Sequence, residues 1–232
     1  MDSDLADRIQ VFKKCTSFAS MDEGAIKEIA ALAAACRFEK GTLVFREGEP
    51  CTFFYVVKQG RVKSFKQSRS GKHFITSVSA ANDSLGAPAM FEAEPRSVSA
   101  RAIEDTVLFR VKREDYMSWV RRHPSVMLTM LAQAARVMGR LYDRLIDVVG
   151  ETAEQRVCNV LYMLYRKFGD NLNFTTEEIA DLAGTTRETA IRVLARMKRS
   201  HILSPVKGKI HILNQAELQK LNQGAMDVPD KA

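Results

Sequence analysis

Short apolar runs separated by turn residues dominate the chain between residues 40 and 109. Glycines and an asparagine lie between the runs, and no stretch of helical periodicity interrupts them. Short apolar runs bounded by such residues are typical of strands in an antiparallel sandwich or barrel. The pattern therefore predicts a β domain whose strands include Leu43–Phe45, Phe53–Val57, Val62–Phe65, Phe74–Val78 and Val107–Phe109.

A short helix is predicted just before this β domain. Ser20 and Glu23 have the spacing of a capping box, in which the two side chains satisfy the first free amides of a helix. A largely apolar stretch continues to Cys36, so we expect a helix over residues 20–36.

The apolar pattern changes after Pro124, where the spacings alternate between four and three. A repeat of about 3.5 residues over three heptads predicts a long helix that pairs with a second copy of the chain. A single helix lying on its own domain is the alternative. The repeating positions are Met127, Leu131, Ala134, Met138, Leu141, Leu145 and Val148. Further apolar residues widen the stripe so that one flank can cover the β domain: Val126, Met130, Val137 and Ile146.

Gly150 ends this repeat and marks a predicted domain boundary. Thr152 and Gln155 can cap the next helix, and Gly169 suits the position just after its end. The apolar face of that helix is formed by Val157, Val160, Leu161, Leu164, Tyr165 and Phe168.

Residues 174–203 predict two helices separated by a glycine-containing turn. Thr175 can cap a short helix that ends at Ala183–Gly184, and a second helix can begin after Thr185 or Thr186. Two helices joined in this way form a helix-turn-helix. Residues 202–206 and 210–213 then predict a β-hairpin wing joined around residues 207–209.

The positive charge of the chain is concentrated on this segment. The chain has 35 Lys and Arg against 28 Asp and Glu, a net charge of +7. Residues 185–209 hold seven cations and one anion, a net charge of +6. A basic helix with a basic wing is the electrostatic pattern of a duplex DNA binder, and a solvated charged surface is the alternative.

The cations and the anion of this segment have different expected roles on DNA. Arg187 and Arg192 can each donate two hydrogen bonds to a guanine, while Glu188 can accept one from a cytosine. Contacts to phosphates position a protein without reading sequence. We expect them from Thr186, Lys198, Arg199, Lys207 and Lys209.

Several other classes of protein are disfavoured by the sequence. The longest unbroken apolar run, residues 29–36, has eight residues, far short of the roughly 20 that span a bilayer. The N-terminus is acidic and unlike a signal peptide. The four cysteines are widely spaced, which favours reduced thiols over a metal site. These features predict a cytoplasmic protein with no membrane partner. Because no nucleophile–base pair, metal cluster or phosphate loop is recognisable, we do not expect an enzyme.

The order of these motifs along nearly the whole chain resembles the Crp/Fnr family of bacterial transcription regulators. Residues 41–65 are similar to the entry of the family's β-roll, and residues 85–102 to its cyclic-nucleotide phosphate-binding cassette. Residues 127–148 and 185–194 match its dimerisation helix and recognition helix. The resemblance implies an α+β fold with a cyclic-nucleotide-binding-type β-roll (jelly roll), a coiled-coil dimerisation helix and a C-terminal winged helix-turn-helix.

The resemblance also implies domain boundaries and partners. We expect a sensing domain at residues 1–123, a dimerisation helix at 124–149, a DNA-binding domain at 150–223 and a tail at 224–232. Double-stranded DNA, a second copy of the chain and RNA polymerase are the implied partners.

The recognition helix indicates which branch of the family the chain resembles. Arg187, Glu188 and Arg192 match the cyclic-AMP receptor branch, whereas the Fnr branch has a serine in place of Ile191. The implied target is a palindrome of TGTGA-like half-sites about one helical turn apart.

The sensing half departs from the family's cyclic-AMP pattern. Gly86 and Arg96–Ser97 match the cassette that meets the cyclic phosphate, where Arg96 is an anion site, a structural ion-pair partner or a relic. Ala87 replaces the glutamate that holds the ribose, and Leu141–Tyr142 replace the threonine–serine pair that meets adenine. Each polar ligand group left unpaired costs about 1–3 kcal/mol, so cyclic AMP is not the expected effector.

Other effectors and one other class of function remain as alternatives. The family's iron–sulfur sensors need closely spaced N-terminal cysteines, which this sequence lacks. A haem-based sensor of carbon monoxide or nitric oxide would need an axial ligand such as His73, His123 or Met138. Met138 and Leu141 suit a hydrophobic effector and dimer packing equally well. A cyclic-nucleotide-type module that acts on a protein partner is the alternative of another class, and the basic recognition helix disfavours it.

Overall fold

A computed structural model describes residues 3–91, 95–206 and 209–223. Within these ranges the chain divides into two compact units. The first comprises residues up to 66 together with 76–139, and the second comprises residues 67–75 together with those from 140 onward. No described helix is both long and apolar enough to cross a membrane.

A jelly-roll-like pair of antiparallel four-stranded sheets, with strand orders β1-β8-β3-β6 and β2-β7-β4-β5, lies mostly within the first unit. The strands are β1 (Ala34–Phe38), β2 (Leu43–Phe45), β3 (Phe53–Gln59), β4 (Val62–Gln67), β5 (His73–Ser79), β6 (Ser84–Leu85), β7 (Ser99–Ala102) and β8 (Thr106–Lys112). Apolar side chains from both sheets, including Phe45, Val62 and Leu108, share one buried cluster. All five predicted runs are strands, which confirms the β domain.

One turn between these strands requires glycine. Gly60 lies between β3 and β4 with φ of 88°. A Cβ atom there would lie 2.6 Å from the carbonyl oxygen of Asp105. Only glycine avoids both the strained backbone and this overlap.

Helices cover one side of the β-roll and share a second buried cluster with it. They are α1 (Ser3–Lys14), a 3-10 turn (Thr16–Phe18), α2 (Glu23–Ala31), α3 (Ala87–Phe91) and α4 (Arg113–Arg122). Phe54 of β3 stacks on Tyr116 with ring centroids 4.5 Å apart. The buried indole of Trp119 donates a hydrogen bond to the Ala25 carbonyl at 3.0 Å. These aromatic contacts join α2 and α4 to the sheet.

The predicted helix over residues 20–36 is wrong at both ends. Asp22 is the N-cap of α2, where its carboxylate accepts from the Ala25 amide at 2.8 Å. Ser20 instead shares a hydrogen bond of 2.6 Å with Thr129. Cys36 lies on β1 opposite Leu108 of β8, because pairing with β8 outweighs the helical preference of the alanines before it.

The long helix α5 spans Ser125–Gly150, as the repeat predicts. Val126 and Met130 are buried against the first cluster of helices, which confirms that one flank covers the β domain. Val137 and Ile146 are exposed instead. The seam positions are also exposed, and Leu131 retains 67% of its accessible surface.

The C-terminal part is a winged helix-turn-helix. Its elements are α6 (Ala153–Phe168), β9 (Asn171–Leu172), α7 (Thr176–Ala183), α8 (Arg187–Arg199), β10 (Leu203–Val206), β11 (Lys209–Ile212) and α9 (Gln215–Gln223). Thr152 caps α6 by accepting from the Gln155 amide at 3.1 Å, and Gly169 follows its end with φ of 76°. Strands β10 and β11 form the predicted wing, which β9 extends to three strands. The mixed α+β architecture is therefore confirmed.

Candidate nucleic-acid interface and effector site

Local hydrogen bonds determine where the two helices of the helix-turn-helix begin and end. Glu178 donates its amide to the Thr175 hydroxyl at 3.1 Å, and the Thr175 amide donates to the Glu178 carboxylate at 2.9 Å. Helix α7 ends at Gly184, which is in the left-handed region with φ of 59°. Of the two predicted alternatives, Thr186 is the N-cap of α8, accepting from the Thr189 amide at 3.3 Å.

Helix α8 has one buried face and one exposed basic face. Ala190, Val193 and Met197 are buried, as their spacing predicts. The expected base-reading residues Arg187, Glu188 and Arg192 all lie exposed on the other side, within the first two turns of the helix. A recognition helix contacts base edges through its N-terminal residues. The arrangement therefore presents two guanidinium groups and a carboxylate where base contacts are made.

The carboxyl group of Glu188 is held in its ionised form. Hydrogen bonds from its own backbone amide and from the Thr186 hydroxyl, together with the charge of Arg187, lower the pKa of Glu188. An ionised carboxylate only accepts hydrogen bonds. It can therefore pair with the amino group of a cytosine but not with an acceptor on another base.

The expected phosphate contacts lie at the N-terminus of α8, at its C-terminal end and on the wing. Lys198 and Arg199 are exposed in the last turn of α8, and Lys209 is exposed at the start of β11. Lys207 lies outside the described residues. The hydroxyl of Thr186 caps α8, so it lies beside the free amides of a helix N-terminus, which favour anions.

Two arginines that the sequence analysis did not single out hold the turn between α7 and α8. Arg156 donates to the carbonyl of Ala183 at 2.9 Å and to that of Gly184 at 3.3 Å. Arg144 donates to the carbonyl of Leu182. Neither position has a sequence motif, because an arginine that binds backbone carbonyls leaves no pattern in the partner residues.

In the first unit the structure brings together Gly86 and Arg96 of the expected effector cassette. Arg96 is only 3% exposed, and its Nη2 donates to the Phe53 carbonyl at 2.6 Å. Its guanidinium lies 3.7 Å from the ring centre of Phe45. Its Nη1 is buried without a hydrogen-bond partner among the described residues, and a Cβ atom at Gly86 would overlap it.

Burial destabilises the charged form of the Arg96 guanidinium. Desolvation lowers the pKa of Arg96, although the nearby Cys51, Tyr55 and Glu49 act in the opposite direction. A buried donor without a partner costs about 1–3 kcal/mol, and more when it is charged. An anionic ligand group at Nη1 would remove that cost.

Most of the other expected effector residues are exposed. Ser97 is exposed, Ala87 is the first residue of α3, and Met138, Leu141 and Tyr142 are exposed on α5. The expected haem ligand His123 packs on Trp119 and shares a hydrogen bond of 3.1 Å with Glu28. His73 begins β5 and is half-buried. Among the described residues, no group of three His, Cys, Asp or Glu side chains could hold a metal ion.

Comparisons with known proteins identify two families of domain in the chain. Family models match a cyclic nucleotide-binding domain at residues 35–123 and a Crp-like helix-turn-helix domain at residues 155–221. The chain is 30% identical over 189 residues to a cyclic AMP receptor protein of Thermus thermophilus, covering 81% of this chain and 87% of the relative.

Two further relatives are similar over most of their length. The chain is 27% identical over 194 residues to a CRP-like cAMP-activated global transcriptional regulator of Mycobacterium tuberculosis, covering 80% of this chain and 87% of the relative. The solved structure of FixK2 from Bradyrhizobium japonicum has a similar fold, with a TM-score of 0.74 and 24% identity over 82% of this chain and 97% of that chain. The Mycobacterium tuberculosis relative is named as a regulator of transcription, and none of these three names describes an enzyme.

Proposed function

Because the chain belongs to the Crp/Fnr family of DNA-binding transcription regulators, we propose that it is a homodimer that binds a palindromic DNA site under control of an effector held in its β-roll. The observation that carries this proposal is the exposed face of α8. Arg187, Glu188 and Arg192 lie exposed on that face, while the opposite, apolar face of the helix is buried in its domain.

The pairing of Arg187, Glu188 and Arg192 supports a specific half-site. Arginine forks favour guanines, and the carboxylate favours a cytosine on either strand. A TGTGA-like half-site and its complement offer these bases in the major groove. The cations Lys198, Arg199, Lys207 and Lys209, with the hydroxyl of Thr186, are proposed to bind the flanking phosphates.

The exposed seam of α5 supports the homodimer. Leu131, Met138, Leu141 and Leu145 each keep at least 40% of their accessible surface. They recur at the spacing that suits a parallel partner helix. A twofold dimer presents two recognition helices and therefore binds an inverted repeat. Recruitment of RNA polymerase in the cytoplasm belongs to the same proposal.

The Nη1 of Arg96, which has no hydrogen-bond partner among the residues that the structure describes, supports an anionic effector. The chain lacks the ribose acceptor at Ala87 and the adenine partners at Leu141–Tyr142, so we propose an anion other than cyclic AMP. Thermal unfolding of the dimer with cyclic nucleotides and organic acids tests this. A stabilising ligand that no longer stabilises Arg96→Gln would support it. Stabilisation by cyclic AMP alone would contradict it.

Selection of bound duplexes from a random pool tests the DNA target. We expect enrichment of TGTGA-like inverted repeats, and binding that weakens with salt by about 0.9 in log–log slope per phosphate neutralised. Enrichment of unrelated or non-palindromic sequences would overturn the proposal. A flat salt dependence would do the same.

A further inference from the structure

The turn between α7 and α8 is held by its backbone carbonyls. The last carbonyls of a helix have no partner within the helix and attract cations. Here Arg156 of α6 binds the carbonyls of Ala183 and Gly184. It also binds the carbonyl of Glu151, just after α5, at 2.9 Å. One guanidinium therefore joins the end of the long helix to the turn that precedes the recognition helix.

Arg144 makes a second bridge to the same turn, from the last two turns of α5. Its Nη2 donates to the Leu182 carbonyl, and its Nη1 donates to the Ile75 carbonyl of β5 at 2.8 Å. Hydrogen bonds from a guanidinium are stronger than those between neutral groups. The side chain is half-buried, and desolvation lowers its pKa. Both carbonyls therefore compensate a charge that is partly removed from water.

An aromatic ring completes the contact. The guanidinium of Arg144 lies 4.3 Å from the ring centre of Phe74, the residue before Ile75. A Cβ atom at Gly184 would lie 3.4 Å from that ring and 3.8 Å from a methyl group of Val148. Phe74 thus packs on the helix-turn-helix turn and on Arg144 at once. Residues 67–75 belong to the same compact unit as α7 and α8.

We propose that Arg144 and Phe74 are positioning residues for DNA binding. Their contacts, which we call the clasp, attach the turn before α8 to the last turns of α5. This proposal rests on the proposed dimeric DNA-binding function. In a dimer paired through α5, the place of each helix-turn-helix on that helix determines the separation of the two recognition helices. The clasp therefore determines the half-site spacing that the dimer accepts, although neither side chain lies on the base-reading face.

The test measures the affinity of the full-length protein for a series of duplexes. These carry the selected inverted repeat with its natural spacing or with one or two base pairs added or removed. Arg144→Gln removes the charge-assisted bridge, and Phe74→Leu removes the ring while keeping an apolar side chain. Arg140→Gln is the matched control, since Arg140 lies one turn earlier on α5 and is exposed.

We expect the wild type and Arg140→Gln to prefer one spacing strongly. Arg144→Gln should lose about tenfold of that preference, the effect of one charge-assisted hydrogen bond, and Phe74→Leu should lose part of it. The base preference within each half-site should stay unchanged in both variants. A merely structural role would weaken all duplexes equally.

The outcomes separate this inference from the proposed function. If the wild type binds an inverted repeat but Arg144→Gln and Phe74→Leu keep its full spacing preference, the clasp is wrong. If the wild type selects no inverted repeat, the proposed function itself fails. Circular dichroism of each variant identifies loss of fold, and if Arg144→Gln is unfolded the result for Phe74→Leu decides.

Discussion

Residues on the two faces of α8 have different expected roles, one in the stability of the domain and the other in DNA recognition. Ala190, Val193 and Met197 attach the helix to its domain through burial. Arg187 and Arg192 contribute little to that attachment because both are exposed. A substitution on the exposed face should therefore change DNA recognition and leave the stability of the fold unchanged.

We predict that Arg187→Ala or Arg192→Ala weakens binding to the selected site by roughly 1–3 kcal/mol and relaxes one base position. The reason is that each guanidinium is proposed to discriminate between bases through two hydrogen bonds. Competition binding with duplexes changed at single positions measures it. The control is Lys209→Ala, which should weaken all sequences about equally. A change of base preference in the control would reverse our assignment of roles.

The buried thiol of Cys15 predicts a dependence of stability on alkaline pH. Burial raises the pKa of Cys15 from 9.0 to about 11. The unfolded chain therefore releases this proton at lower pH than the folded chain does. The free energy of unfolding should fall by about 2 kcal/mol as pH rises from 9 to 11, since each pKa unit is worth about 1.4 kcal/mol. Urea unfolding across this range measures the decline, which Cys15→Ala should reduce.

At the scale of secondary-structure elements, short polar motifs decide the ends of helices. Thr152, Thr175 and Thr186 each accept from an amide three residues later. All three N-caps were predicted, the last as one of two alternatives, because a cap depends only on neighbours in sequence. The first cap, Asp22, was missed because Ser20 offered a competing motif whose hydroxyl has a distant partner in Thr129.

Thr175→Ala should lower the free energy of unfolding by about 1 kcal/mol, because it removes the hydroxyl that accepts from Glu178. The matched control is Thr176→Ala, one residue into α7, where the hydroxyl caps no helix. Urea unfolding monitored by circular dichroism measures both. Equal losses in the two variants would mean that the capping box does not stabilise the domain.

At the scale of the whole molecule, charge and apolar surface are distributed unevenly. Residues 185–209 carry +6 of the net charge of +7. The apolar side chains along α5 form the most extended exposed apolar stripe among the described residues. Large exposed apolar surfaces mark sites of association, which supports the proposed pairing of two chains through α5.

Leu145→Lys should therefore disrupt the dimer while each chain stays folded. Leu145 is 59% exposed in the single chain, but burial of a leucine in a seam is worth about 2–5 kcal/mol. The dimer dissociation constant should rise by more than about thirtyfold. Analytical ultracentrifugation measures this. Asp143→Lys, which places the same side chain off the seam, should leave the dimer intact.

Local signals along the chain were enough to locate most of the secondary-structure elements. Short apolar runs and turn residues located five strands, the heptad repeat located α5, and caps with glycines located α6, α7 and α8. The concentration of charge identified α8 and the wing as the DNA-binding segment. The structural signals depend on the preferences of neighbouring residues for one backbone geometry, and the charge is a property of the residues themselves. Both can be read without knowledge of distant contacts.

Contacts between residues far apart in sequence became visible only in the three-dimensional fold. It placed Cys36 on a strand opposite Leu108, buried Arg96 between Phe53 and Phe45, and brought Arg144 to the carbonyls of Ile75 and Leu182. Backbone carbonyls and aromatic ring faces are available on many residues, so no sequence motif identifies the arginine that will bind them. Burial forces a guanidinium to find such partners, and the fold alone determines which ones lie within reach.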